Sequence, residues 1–398
     1  WRSKFLISDP ADISSIRSSG VTECVVDVSK GIDVPTDEPP SLPRPASTSR
    51  AEAPAHSSAP ARTAPAAPPS SSSLSDESTR AAALVTQSKQ LVTSLYSQVR
   101  MGKALDTAGC TALIDDVTSS IFRNQEALVS LVRLKTHDDY TYMHSVAVCA
   151  LMVALSRQLG HSEVAAREAG MAGLLHDIGK AALPLPVLNK PGKLTESEFQ
   201  IVRGHPERGH AMLAATDRTE APWLTDGVLD VCLHHHEKID GTGYPHRLAG
   251  EQIGLLARMG SICDVYDAIT SNRPYKAAWD PSDSIGKMAS WRKGHFDESI
   301  FQAFVRSVGI YPVGSLVRME SGKLAVVVET NPGAATSPKV KTFYSTRSNM
   351  PLPPHLLDLS KPGCVDRILG RESNSVWKFR HLDTLWASPE ALAKIQRS

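Results

Sequence analysis

The six cysteines of this 398-residue chain, Cys24, Cys110, Cys149, Cys232, Cys263 and Cys364, include no C-x-x-C pair. Structural zinc recruits thiolates at such short spacings, so a zinc finger or ribbon is excluded and the cysteines read as ordinary buried thiols. Scattered, unpaired thiols also fit a reducing compartment, and a cytoplasmic protein is expected. Net charge is lacking too: a formal value of +1 leaves no basic field to draw in DNA or RNA polymers. No apolar run approaches the roughly 20 residues of a membrane span; residues 145–155 form the clearest one and sit inside an amphipathic pattern. What is present is 41% hydrophobic residues, enough for globular folding, in a chain longer than one core usually organises.

The chain divides by composition. Residues 1–32 read as a small α/β domain: a short strand at 5–7, a helix started by Asp9-Pro10 and stopped by Gly20, and a second strand at 21–28. Residues 33–77 turn to Pro, Ala and Ser, with ten prolines between Pro35 and Pro69, and predict a disordered tether. Residues 78–310 carry helical periodicity, with Leu84, Leu91, Leu95 and Val99 on one face, then Leu113, Val117, Ile121, Leu128 and Leu131 on the next. After Tyr311-Pro312 the period shifts to two. Residues 316–319, 324–330 and 340–345 predict three strands of a small β-rich C-terminal subdomain over 311–398, with a last helix at 389–396. The expected fold class is therefore mainly α.

Within the helical part, His144, the pair His176-Asp177, His205, the pair His235-His236, and Asp264 supply imidazole and carboxylate with no thiolate. That mixture suits iron, manganese or a similar divalent ion. A carboxylate can bridge two cations, and two ions a few ångströms apart can activate one water and stabilise both oxygens of a phosphoryl displacement. Taken singly, the motifs have blander readings. His144 alone is a core histidine, and a triple histidine at 234–236 is a solvated polar run. Buried together without a partner, however, His176 and Asp177 are costly, so a cation or a dense hydrogen-bond net has to accompany them. Pro206 predicts His205 held extended at the start of a helix. Lys180, one turn after His176, aims an ammonium at the same mouth and is a natural phosphate contact. Arg273 and Lys276 flank Tyr275 as a solvated helix end or a clamp for phosphate and a guanine face. The Gly-rich turn at 241–245 closes tightly over a site or displays Tyr244 to solvent.

These pieces together, Tyr140-Thr141 with His144-Ser145, HDIGK at 176–180, His205-Pro206 with Gly209, HHE at 235–237, DGTGYP at 240–245 and DVYDAITSNRPYK at 264–276, resemble the HD-GYP subclass of the HD metal-dependent phosphohydrolases. The small N-terminal domain and strand-rich tail resemble extensions that such proteins carry. The resemblance implies an HD-type all-helical catalytic domain that hydrolyses cyclic di-GMP to pGpG, and on to GMP, through a metal-activated hydroxide. It implies two divalent ions, Fe or Mn: one on His144, His176, Asp177 and Asp264, with Asp177 bridging to a second on His205, His235 and His236. Some members hold a third ion through a Glu one turn before the first histidine, where this chain has Tyr140. Asp177 and Lys180 would be catalytic, and Lys180, Arg273 and Lys276 would contact substrate. Gly243, Tyr244 and Pro245 would form a loop for docking GGDEF-domain proteins, and a homodimer is compatible with the family. Two rival expectations stand beside this one: a catalytically weak cyclic dinucleotide receptor, disfavoured because every ligand is present, and a hydrolase of another cyclic dinucleotide such as 3',3'-cGAMP.

Overall fold

The computed structural model describes residues 74–134, 140–190, 192–271, 278–331 and 333–397. The α/β domain expected at 1–32, most of the expected tether, and Arg273 and Lys276 lie outside them.

The first described helix, α1 (Leu74–Arg100), begins inside the segment expected to continue as tether to residue 77. A buried ion pair explains the difference. Glu77 is buried and accepts from Ser120 Oγ at 2.9 Å and from Arg123 Nη2 at 2.9 Å, both on α2 (Thr107–Leu131). Asp106 starts α2 by accepting from the Gly109 N–H, and the five predicted core positions from Leu113 to Leu131 are buried. Halfway along, Asn124 leaves helical geometry (φ −157°, ψ 99°), and its side chain accepts from Ala127 N–H at 3.3 Å, restarting the helix as a second cap.

Next comes α3 (Tyr140–Gln158), in which every residue from 143 to 156 is buried. A helix apolar all round belongs at the centre of a bundle. Around it pack α1, α2, α4 (Glu163–Leu175) and two later helices, Leu255–Thr270 and Glu298–Val308. After α4 the chain passes through a 3-10 turn (Ile178–Ala182), α5 (Leu185–Leu188), α6 (Glu196–Arg203), α7 (His205–Ala214), α8 (Asp226–His234), α9 (Leu255–Thr270), α10 (Pro281–His295) and α11 (Glu298–Val308). Helix α7 starts at His205 itself, so this residue is the first helical residue rather than extended. Four of the cysteines, Cys110, Cys149, Cys232 and Cys263, are buried free thiols. Among the described residues no helix is long and apolar enough to cross a membrane.

The tail forms an antiparallel sheet of order β4-β3-β2-β1-β5. Its strands are β1 (Leu316–Met319), β2 (Lys323–Glu329), β3 (Lys339–Ser345), β4 (Met350–Asp358) and β5 (Ile368–Arg371). The period-two pattern separates its faces: Val317, Met319, Ala325 and Val327 share one cluster, and Leu316, Leu324 and Val326 share another with Trp377, Phe379 and Trp386. Five strands replace the three expected. The two additions are edge strands, and β4 carries Pro351, Pro353 and Pro354, which an edge tolerates because its outer N–H groups face away from the ladder. The last helix, here α13 (Pro389–Arg397) after α12 (Asn374–Trp377), returns to α1, and its Ala391 and Ile395 join the helical core.

Two backbone approaches position the site. A Cβ on Gly173 would stand 2.9 Å from both Cys149 Cα and Val148 O, so α4 lies directly on α3. A Cβ on Gly179 would overlap the His205 carbonyl and stand 2.5 Å from Gly209 N, which locks the 3-10 turn against α7. Gly179→Ala has to separate these two elements and is predicted to destabilise the protein by about 1–3 kcal/mol, the usual cost of overpacking. Thermal unfolding checks this, and an unchanged midpoint would contradict the contact.

Candidate metal centre

The seven candidate ligands arrive from five places: His144 from the first turns of α3, His176 and Asp177 from the end of α4, His205 from the start of α7, His235 and His236 from just past α8, and Asp264 from the middle of α9. They converge in two groups, Asp177 with His205, His235 and His236, and His144 with His176 and Asp264.

Asp177 joins the groups because its two oxygens face different ways. Oδ1 lies 3.0 Å from His205 Nε2 and 3.8 Å from His235 Nε2, while Oδ2 lies 3.3 Å from His176 Nε2 and 3.5 Å from His144 Nε2. Lys180 Nζ also reaches Oδ2, at 2.5 Å. Asp264 closes the cluster, with Oδ1 2.9 Å from His144 Nε2 and Oδ2 3.8 Å from His236 Nδ1. Burial alone would raise the Asp177 carboxyl pKa, but Lys180 and the surrounding imidazoles hold it well below the usual carboxylate range. Asp264 is likewise held low against burial, chiefly by His144.

The backbone decides which ring nitrogen faces inward. His176 Nδ1 donates to Gly173 O at 2.7 Å, His205 Nδ1 to Val202 O at 2.7 Å, and His235 Nδ1 to Val231 O at 2.9 Å. A carbonyl only accepts, so the proton is on Nδ1 and a neutral ring points its Nε2 lone pair into the cluster. Burial, reinforced by neighbouring imidazoles, pushes His235 well below the usual histidine range, and His236 falls to about 3, also chiefly through burial. Among the described residues, His176 Nε2 and Asp177 Oδ1 are buried and engage no hydrogen-bond partner. Lone pairs gathered in this way, with donors turned outward, are what a divalent cation satisfies. The residues therefore fit a divalent metal centre.

Sequence reasoning passed over Asp267, one turn after Asp264 on α9. It is fully buried, and its Oδ2 lies 2.6 Å from His144 Nδ1. His144 is thus oriented by a carboxylate where His176, His205 and His235 are oriented by carbonyls. Burial opposes charge on this ring, yet the bonds to Asp264 and Asp267 raise its pKa, so a proton and a cation compete for Nε2. The signal was within reach: two carboxylates at i and i+3 share one helix face.

Of the two readings of the 241–245 turn, the packing around Glu237 and Tyr244 favours the one in which it closes over the site. Glu237, buried, is no member of either ligand group; its Oε1 accepts from His246 N–H at 2.7 Å and ties the 241–245 turn to the helix end. Gly243 is pressed against Glu237, where a Cβ would meet its backbone. Tyr244 is half-buried: its ring stacks on His236 with centroids 4.7 Å apart, and burial raises its phenol pKa. Within the segment Gly243, Tyr244 and Pro245, it is the Tyr244 ring that lies against the cluster.

The HD domain family model matches residues 114–300, and a domain of unknown function (DUF3391) matches residues 1–110. A cyclic di-GMP phosphodiesterase of Pseudomonas aeruginosa is 51% identical over 386 residues, 97% of this chain and 88% of that protein. The chain belongs to the HD-GYP family. The cyclic di-GMP phosphodiesterase response regulator RpfG of Xanthomonas campestris is 38% identical to this HD-GYP protein over 187 residues, 46% of this chain and 48% of the relative. A 3'3'-cGAMP-specific phosphodiesterase of Vibrio cholerae is 34% identical over 172 residues, covering 42% and 38% of the two chains.

Because Asp267 holds His144 in the HD-GYP cluster, Asp267→Asn is predicted to weaken metal affinity by about 10- to 100-fold, as for other partners of metal-bound histidines. Titrating stripped protein with Mn(II) and counting bound metal measures this. Wild-type affinity in the variant would remove the orienting role.

Proposed function

We propose that this chain is a metal-dependent phosphodiesterase that hydrolyses cyclic di-GMP, with linear pGpG or GMP as the end product. The observation that carries the reading is Asp177, one buried carboxylate whose two oxygens face two separate histidine sets, in a chain 51% identical to a cyclic di-GMP phosphodiesterase. Ligands of nitrogen and oxygen alone favour Fe or Mn. Two ions are expected rather than three, with Asp177 common to both.

Cations held there lower the pKa of water and neutralise charge on phosphoryl oxygens. The chain's own residues do the rest. The bonds from Gly173, Val202, Val231 and Asp267 fix the histidine rings before substrate arrives, so no reorganisation is needed during reaction. Lys180, 20% exposed beside the buried Asp177, presents its ammonium where charge grows on the phosphoryl oxygens as water adds to phosphorus and a ribose oxygen leaves. No side-chain nucleophile is required.

The cGAMP-specific relative makes substrate choice the second question. Manganese- or iron-loaded protein is incubated with cyclic di-GMP and with 3',3'-cGAMP, and the products are chromatographed. Preferential release of pGpG or GMP is expected; preference for cGAMP would reassign the substrate, and binding without turnover would favour a receptor. In the same assay Lys180→Ala is predicted to retain its metal while its rate constant falls by about 100- to 1,000-fold, a barrier raised by about 2.7–4 kcal/mol, the range for losing one transition-state donor. Metal loss from that variant would make Lys180 structural.

A further inference from the structure

The mouth of the metal centre is defined by exposure. His144, His176, Asp177, His205 and His235 have side chains at most 2% exposed, whereas His236 is 24% and Asp264 11% exposed. A substrate therefore meets the His236 side of the cluster, which Tyr244 covers.

On Tyr244 rests a second cation. Arg203, the last residue of α6, holds its guanidinium carbon 4.5 Å from the Tyr244 ring centroid. Its place follows from the chain: Val202 is fixed by the His205 ring and Gly204 lets α7 start at once, so Arg203 leaves the helix end toward the turn at 241–245. Arg203 is half-buried, and among the described residues no carboxylate pairs with it. Other arginines in this fold have acids, as Arg123 has Glu77, Arg167 has Asp115 and Arg258 has Asp297. A guanidinium stacked on an aromatic ring keeps its N–H edge available in its own plane, and that edge matches two phosphate oxygens.

We propose that Arg203 is a substrate-binding residue that grips a phosphate of the cyclic dinucleotide, with Tyr244 as the platform that aims it. This rests on the phosphodiesterase reading above. A cyclic dinucleotide has two phosphates, and only one can lie over Asp177 and Lys180 at a time; Arg203 takes the phosphate that is not being cleaved. The stack on Tyr244 restricts the arginine before binding, which lowers the ordering cost of the contact.

Steady-state kinetics of Arg203→Ala and Arg203→Lys in the full chain, on cyclic di-GMP and on bis(p-nitrophenyl) phosphate, which has a single phosphate, test this. For Arg203→Ala the expected result is a KM for cyclic di-GMP raised by about tenfold, with kcat changed much less and metal content retained, the loss appropriate to one charge-assisted contact. The preference for the dinucleotide over the single phosphodiester, as a ratio of kcat/KM, falls by a similar factor, and Arg203→Lys recovers part of it. Equal losses on both substrates, a fall confined to kcat, or loss of metal would overturn the assignment. If wild-type protein cleaves the single phosphodiester and leaves cyclic di-GMP intact, the phosphodiesterase reading is what fails. Calorimetric binding of cyclic di-GMP to wild type and Arg203→Ala then decides the Arg203 contact alone, with equal affinities overturning it.

Discussion

A carboxylate that is almost completely buried, with each oxygen turned toward a different set of imidazoles, is the constraint on which this structure depends. Removing an ionised carboxylate from water costs several kcal/mol unless charge and hydrogen bonds compensate it. In the protein Asp177 has Lys180 on one oxygen and imidazole nitrogens around both. Every nearby element is placed to serve that group. Helix α4 lies on α3 through the bare backbone of Gly173, bringing His176 and Asp177 against His144. The following turn lies on α7 through Gly179, which brings His205 up from the other side.

The arrangement separates two tasks that a metal-binding cluster has to combine. Ring orientation is assigned to the backbone and to Asp267, all reached through Nδ1 atoms facing away from the centre. Reactivity is left to the inward Nε2 atoms of these four rings, to His236 and to the two carboxylates. Around the centre, the C-terminal module is stitched to the helical core at α2, where Thr330 N–H donates to Glu126 at 3.0 Å, and Gln125 Nε2 ties α2 to α11 by donating to Ser307 O at 2.7 Å. Both residues follow the interruption at Asn124, which turns them out of the helical repeat.

Much of the centre was legible because metal ligands are scarce residue types at telling positions: buried His-Asp and His-His pairs interrupt apolar runs and stand out. What escaped was context. Asp267 is an acid in a helix like many others until the fold sets it against His144. Arg203, at a helix end, reads as a solvated cation, since nothing local says that Tyr244 lies beneath it. Tyr244 was left with two readings for a related reason: glycine marks a turn equally when the turn faces water and when the backbone must press closely, as Gly243 does on Glu237. The edge strands β4 and β5 were hidden by proline and exposure, which weaken the alternation that betrays a central strand.

Because the two oxygens of one carboxylate face both groups, the two proposed cations should act as a unit, and a titration of metal-stripped protein with Mn(II) examines this most directly. Bound metal and cyclic di-GMP turnover are followed together. The account predicts two ions per chain, with turnover rising in proportion to chains that hold both. Full turnover at one ion per chain, or two ions bound with no effect of the second on rate, would contradict the shared-carboxylate centre.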